Sequence, residues 1–371
     1  MNEAVAKKIQ RAAEVAATHA VDVDAKARFP TESIEVLRAE GLLGLLSAEE
    51  VGGLGLGFGD AARAVEQIAR ECASTAMVLT MHYAGTAVIE KLGSVAVRKE
   101  IAAGRHLTTL AFSESGSRSH FWAPVSSATK VANGIQLDAQ KSFATSASQA
   151  DSYVWSSRPL STEGASTLWL VRRDTPGIQP GRYQGLGLRG NDSAPVRAEA
   201  AVIPADAMLG ADGSGFDTMM GIVLPLFNLC NAACSVGLTE GALGRAIAHA
   251  SSTRHQHLDS SLADLPTIRA YLARARIQAD SARTLWQDAI VALETGRADT
   301  MLRVLQVKAA ANETAISVTQ ECMRTSGGAA YRPDVGLERY FRDARAGFVM
   351  APTSDQLYDF IGKAICGLPL F

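Results

Sequence analysis

His82 and His120 are the two imidazoles of this chain best placed for acid-base work. His82 lies inside the apolar run Val78-Leu79-Thr80-Met81-His82-Tyr83. An imidazole there can move a proton near neutral pH, or it can sit buried as a hydrogen-bonded core residue. His120 closes the serine-rich stretch Ser113–Ser119. The five cysteines, Cys72, Cys230, Cys234, Cys322 and Cys366, are odd in number and scattered. Cys230 and Cys234 share a helix face, but no second pair or histidine completes a zinc site, so small buried thiols are expected. The run Gly52-Gly53-Leu54-Gly55-Leu56-Gly57 does not follow a strand and lacks a GKS/T ending. It reads as a tight turn between helices, not as a phosphate loop.

These residues must be positioned by a sizeable structure. The chain has 371 residues, 47% of them hydrophobic and 20% charged, which fits two or three packed units and excludes a disordered polymer. The formal net charge is -2. No basic field is present to attract nucleic acid or an anionic membrane. The opening MNEAVAKKIQRAAEVAATHA is charged and helix-prone, without an apolar signal core. No window reaches the roughly 18 uninterrupted apolar residues of a spanning helix, and a cytoplasmic location is expected.

Apolar residues recur at helical spacing over 1–107. Over 108–211 helix formers thin out, and short alternating runs such as Thr167-Leu168-Trp169-Leu170-Val171 alternate with turn signals. That pattern predicts a compact antiparallel barrel or sandwich. Over 212–371 the chain is helical again, with long Ala-rich segments that should pack as an antiparallel bundle. Gly327-Gly328 stands where the third of these ends.

Five short motifs occur in order along this frame. They are the opening from Phe29-Pro30 to Gly55, the stretch Ala111–Ser119, Lys141-Ser142-Phe143-Ala144-Thr145, Gly187-Leu188-Arg189-Gly190-Asn191-Asp192-Ser193, and Glu338-Arg339-Tyr340-Phe341-Arg342-Asp343-Ala344-Arg345. Together they resemble the acyl-CoA dehydrogenase superfamily. The resemblance implies an α+β multidomain fold: an N-terminal helical domain, a central antiparallel β-barrel and a C-terminal four-helix bundle. It also implies a bound flavin, FAD, or FMN if the enzyme is a monooxygenase. By position, Leu110, Ala111, Phe112, Ser113, Ser119, Phe143 and Thr145 would surround the flavin ring, with Thr353 and Asp355 near it. Arg254, Arg324, Gly327 and Gly328 would hold the cofactor's diphosphate tail across a subunit interface, in a homodimer or homotetramer.

The chain departs from the family where the family's base should be. The stretch Met350-Ala351-Pro352-Thr353-Ser354-Asp355 has alanine in the slot of the usual glutamate. An alternative base region, Leu224-Pro225-Leu226-Phe227-Asn228-Leu229, has no carboxylate either. Alanine cannot accept a proton, so a substitute is sought in Asp355, His120 or His82. Asp355 is four residues from Ala351, and its plainer role is to cap the last helix. Two functions follow from the resemblance: oxidation of an acyl-CoA-like substrate with a displaced or absent base, or flavin-dependent monooxygenation with reduced flavin and oxygen. The first would pass electrons to an electron-transfer flavoprotein, and the second would need a flavin reductase.

Overall fold

The computed structural model describes residues 2–118, 120–257 and 259–370. Five helices open the chain: α1 (Glu3–Ala25), α2 (Thr31–Ala39), α3 (Phe58–Ala69), α4 (Ala73–Leu92) and α5 (Val95–Ala102). Asn2 caps α1 by accepting from the Val5 N–H at 2.9 Å. Val5, Ile9, Ala12, Ala16, Ala20 and Val23 recur every three or four residues and form its buried face. By contrast, α4 is buried on nearly every side, and its sequence is mostly apolar or small, with charge only at Glu90 and Lys91 in the last turn. The glycine run before α3 is the expected tight turn. Gly52 sits at φ +93°, and a Cβ on Gly53 would come within 2.1 Å of the Ser47 carbonyl oxygen.

The middle region holds β1 (Thr108–Ala111), β2 (Ser127–Val131), β3 (Gly134–Ala144), β4 (Ser152–Ser157), β5 (Thr167–Arg172), β6 (Ile178–Pro180), β7 (Ala194–Ile203) and β8 (Met208–Leu209). They form two four-stranded sheets, ordered β1-β4-β5-β8 and β2-β3-β7-β6. Tyr153, Trp155 and Trp169 from the first sheet and Leu137, Val196 and Ile203 from the second share one core. The sheets therefore pack face to face, and among the described residues they do not close into the expected barrel. Nor is the region wholly antiparallel. The β2–β3 excursion separates β1 from β4, so these two meet as a crossover and pair in parallel, Thr108 opposite Ser152.

The second helical region runs through α6 (Gly215–Thr218), a π-helical turn (Met219–Val223) and α7 (Leu224–Ser252). A small hairpin follows, β9 (Arg254–His255) with β10 (Ser260–Ser261), then α8 (Pro266–Thr295), α9 (Thr300–Ser326), α10 (Leu337–Val349) and α11 (Ser354–Ile365). Pro225 lacks an N–H and falls in the first turn of α7, directly after the π turn. The run Gly215–Ser252 is apolar enough by length and composition to cross a membrane, but most of it is enclosed by the other helices. Residues of α1, α3 and α4 join those of α7, α8, α9 and α10 in one hydrophobic core. The two helical regions are thus a single packed body, with the first sheet set against α4.

Candidate functional site

A cavity of about 630 Å³ opens where the sheets, α4, α7 and the end of α10 meet. Strand alternation decides which residues of β1 and its extension face it. Leu110 and Phe112 line the cavity. Ala111, between them, is fully buried on the other side against Ala144, Tyr153 and Trp155. The Ala111 side chain thus belongs to the core between the sheets, and only its backbone is left to meet a ring in the cavity.

The β3 ladder with β7 shifts register between Lys141 and Ala144. Such a bulge re-aims the intervening side chains. Ser142 and Phe143 are turned into the cavity wall, and the Phe143 ring is left 67% exposed there. A buried ion pair fixes this bulge against the loop after β1. Lys141 Nζ reaches Glu114 Oε1 at 2.6 Å and the Ser156 carbonyl oxygen at 2.7 Å. The Ser142 N–H donates to the Ser113 carbonyl at 2.8 Å. Glu114 Oε2 accepts the N–H groups of Val125 and Ser126, at 2.8 and 3.0 Å. Burial pushes the Glu114 carboxyl up, but the Lys141 ammonium and these donors outweigh it, and its pKa ends below the usual value. Glu114 is thus an ionised strut with both oxygens engaged, not a free base.

The loop before β7 supplies the polar corner. The Thr145 and Ser193 hydroxyls lie 2.8 Å apart, and both residues line the cavity. Asn191 lines it as well. Its Oδ1 accepts the Ser193 N–H at 3.1 Å, while its buried Nδ2 has no partner among the described residues. This loop is held from α10: Asp343 Oδ1 accepts the Leu188 N–H at 2.6 Å, and a Cβ on Gly187 would come within 2.5 Å of the Arg342 carbonyl oxygen. Burial raises the Asp343 carboxyl to about 6. Arg342 in turn pairs with Asp24 of α1.

The opposite wall comes from helices. Met77 and Met81 of α4, Leu224 and Phe227 of α7, Val349 at the end of α10, and Met350 and Ala351 just beyond it face the cavity. Lys308 of α9 stands behind Ala351 without lining the cavity. Its fully buried ammonium donates to the carbonyls of Gly347, Met350 and Pro352, at 3.4, 3.0 and 2.7 Å. Burial pushes its pKa down to about 7.

The proposed acid-base residues are not brought together here. His82 is fully buried outside the cavity lining. Its Nε2 bonds the Leu43 carbonyl at 2.9 Å and its Nδ1 accepts from the Thr108 N–H at 3.2 Å. Burial lowers its pKa to about 4, so the ring is neutral and both nitrogens are used in joining α4 to β1. His120 is exposed and packs edge-on to Trp122, 5.1 Å between centroids, in a separate open pocket. Asp355 is exposed in the first turn of α11, outside the cavity lining. The cap is made two residues earlier than Asp355, by the Thr353 hydroxyl accepting from the Gln356 N–H at 3.4 Å. Thr353 also lies outside the lining. Asn228 is buried and points to the Val304 carbonyl of α9, 3.3 Å away.

Of the expected ring contacts, Leu110, Phe112, Ser113, Phe143 and Thr145 line the cavity. Ser119 lies outside the described residues. The expected tail contacts do not reach the cavity within one chain. Arg254 pairs with Asp259 at 2.9 Å, and Arg324 bonds Glu321 at 3.0 Å and the Tyr271 hydroxyl at 3.1 Å. Gly327 adopts φ +57°, and a Cβ on Gly327 or Gly328 would meet nothing within 4 Å. Ser142, Asn191 and Ser193 also line the cavity, and all three fall inside motif stretches visible in the sequence. Met77, Met81 and Phe227 gave no such signal, because an apolar helix residue looks the same whether it lines a core or a cavity.

The residues present suit a flat heteroaromatic ring: an apolar wall, an exposed Phe143, hydroxyls along one edge and an unpartnered buried amide. Models of three acyl-CoA dehydrogenase domains match in sequence order: the N-terminal domain over residues 2–104, the middle domain over 109–201 and the C-terminal domain over 213–366. Cyclohex-1-ene-1-carbonyl-CoA dehydrogenase of Geobacter metallireducens is 28% identical over 94% of this chain and 93% of its own length. The butyryl-CoA dehydrogenase structure from Megasphaera elsdenii superimposes with a TM-score of 0.90 at 23% identity, covering 99% of each chain. FMN-bound TdsC from Paenibacillus sp. A11-2 superimposes with a TM-score of 0.88 at 21% identity, covering 100% of this chain and 99% of that one. At these identities the two structures speak for the fold alone. With the domain models matching nearly end to end, this chain belongs to the acyl-CoA dehydrogenase superfamily of flavin-dependent oxidoreductases.

Proposed function

We propose that this chain oxidises an acyl-CoA-like thioester with FAD, held against Phe143, Ser113, Thr145 and Asn191. The observation that carries this is the cavity itself. It places an apolar groove between the polar corner at Asn191 and the wall at Ala351, as an acyl chain lying across a flavin ring requires. FAD supplies a two-electron acceptor there. The chain's own share is to orient the two reactants and exclude water. Leu110 and Phe112 make the dry wall. The Glu114–Lys141 pair holds the Ser113 and Ser142 segments at one separation. The Thr145, Ser193 and Asn191 groups offer hydrogen bonds to ring heteroatoms.

In this reading a neighbouring copy brings Arg254, Arg324, Gly327 and Gly328 to the cofactor's tail, in a homodimer or homotetramer. The open space around both glycines supports that role. Electrons would leave to an electron-transfer flavoprotein. A cytoplasmic location goes with this, supported by the absence of any disulfide among the described residues.

The deciding experiment is anaerobic. Purified protein should carry FAD, and its absorbance near the yellow band should bleach on adding short acyl-CoA thioesters. Retained colour with a panel of chain lengths and branched acyl groups would remove this reading.

One observation favours a second reading. Among the described residues Glu114 is the only carboxylate on the cavity wall, and it is fully engaged, so none of them offers a free side chain of the required type to take an α proton. A flavin monooxygenase using FAD or FMN from a partner reductase needs no such base. Reduced flavin mixed with aerated buffer should then give a flavin-oxygen adduct spectrum, and its absence would dismiss this alternative.

A further inference from the structure

Among the described residues, two charged side chains line the cavity, those of Glu114 and Arg118. Glu114 is neutralised by Lys141 and saturated with donors. Arg118 is its opposite. The residue is exposed, and among the described residues no hydrogen bond or ion pair engages its guanidinium. Its backbone lies at φ +48°, a left-handed conformation that is strained for a residue with a Cβ. The turn leaves it no choice. The N–H groups of Ser117 and Arg118 both donate to the Glu114 carbonyl at 3.1 Å, and Glu114 is fixed by the buried pair. A strained backbone thus presents an unpaired cation at a largely apolar cavity, and residues held this way cluster where ligands are clamped. The uncompensated charge makes the local potential positive.

We propose that Arg118 anchors an oxyanion of the substrate, a carboxylate or a phosphate, at the mouth of this cavity. The planar guanidinium matches either group with two parallel hydrogen bonds. The inference rests on the reading that the cavity admits substrate beside the flavin, and it narrows that substrate to one with negative charge at the mouth. An anion on the acyl portion and a phosphate on its carrier would satisfy Arg118 equally.

The test uses flavin-loaded wild type, Arg118→Gly and Arg118→Lys. Glycine suits the left-handed backbone, so the first variant should fold. Lysine keeps the charge. Glutarate and inorganic pyrophosphate are titrated by calorimetry, butyryl-CoA and glutaryl-CoA by perturbation of the flavin spectrum, and FAD retention is measured by ultrafiltration. Binding of the responsive probes should weaken about tenfold in Arg118→Gly, equivalent to roughly 1.4 kcal/mol, and recover in part in Arg118→Lys. FAD retention should not change. Weakening of pyrophosphate and both thioesters identifies a phosphate. Weakening of glutarate and glutaryl-CoA alone identifies a carboxylate. If wild type binds none of the four probes, if Arg118→Gly binds all of them as wild type does, or if FAD is lost in proportion, the assignment is overturned. If no thioester perturbs the wild-type flavin, the thioester reading fails, while the glutarate and pyrophosphate titrations still decide Arg118.

Discussion

Ala351 faces the cavity from the segment that Lys308 holds by three carbonyls. A side chain placed there has its backbone fixed and an apolar groove in front of it. Ala351→Glu should therefore gain a carboxyl whose pKa burial raises toward neutrality. If the reaction is desaturation, anaerobic flavin reduction by a short acyl-CoA should quicken by about tenfold or more, since a positioned base contributes about 10²–10⁴-fold. The rate should rise with pH through the pKa of the new acid. Stopped-flow absorbance checks it, and an unchanged rate would mean that the missing carboxylate does not limit the chemistry. Asp355→Asn should leave turnover within about twofold, because Asp355 is exposed on α11 and outside the cavity.

The elements around the site are joined by buried polar groups with titrations of their own. His82 ties α4 to β1 as a neutral ring, with a folded pKa of about 4 against an ordinary 6.5. The unfolded chain then binds a proton between these values and the folded chain does not. Stability is complete above about 6.5 and falls as pH drops toward 4. His82→Phe should lose about 1–3 kcal/mol at pH 7.5, because the Leu43 carbonyl and Thr108 N–H are left unpaired. Urea unfolding between pH 4.5 and 7.5 should also show a shallower acid limb in the variant. Lys308 acts in the same direction, but in a window at higher pH. Its folded pKa of about 7 lies below the ordinary 10.5, so the unfolded chain holds the extra proton between them and stability rises as pH climbs from 7. Lys308→Met should flatten that rise and, by releasing Gly347, Met350 and Pro352, cost about 2–4 kcal/mol at pH 8. Equal slopes in the two proteins from pH 7 to 9 would deny Lys308 this part.

At the scale of the molecule, one helical core joins the two ends of the chain and leaves the cavity at its junction with the sheets. The candidate tail residues Arg254, Arg324, Gly327 and Gly328 stay outside that cavity. If a second copy supplies them, flavin affinity depends on assembly. Sedimentation velocity should then show a dimer or larger species at micromolar protein, and dilution through the dissociation range should release flavin in step with the loss of that species. Full flavin binding by an isolated monomer would separate the cofactor site from the interface.

Periodicity alone separates helical, strand-rich and helical regions here, because a 3.6-residue repeat and a two-residue repeat leave different marks in the sequence. The motif stretches at 111–119, 141–145 and 187–193 contain most of the polar residues on the cavity wall. What sequence spacing does not decide is which side of a strand faces the cavity: the Ala111 side chain packs behind those of Leu110 and Phe112. Nor does spacing reveal closure of a sheet or a parallel crossover such as β1 with β4, since both depend on contacts far apart in the chain. The same limit governs the titratable groups. The alanine at 351 is plain in the sequence, but that His82 is neutral, Glu114 engaged and Arg118 unpaired depends on partners that only the tertiary structure brings near. A side chain's type is written in the sequence, whereas its protonation and availability are set by what surrounds it.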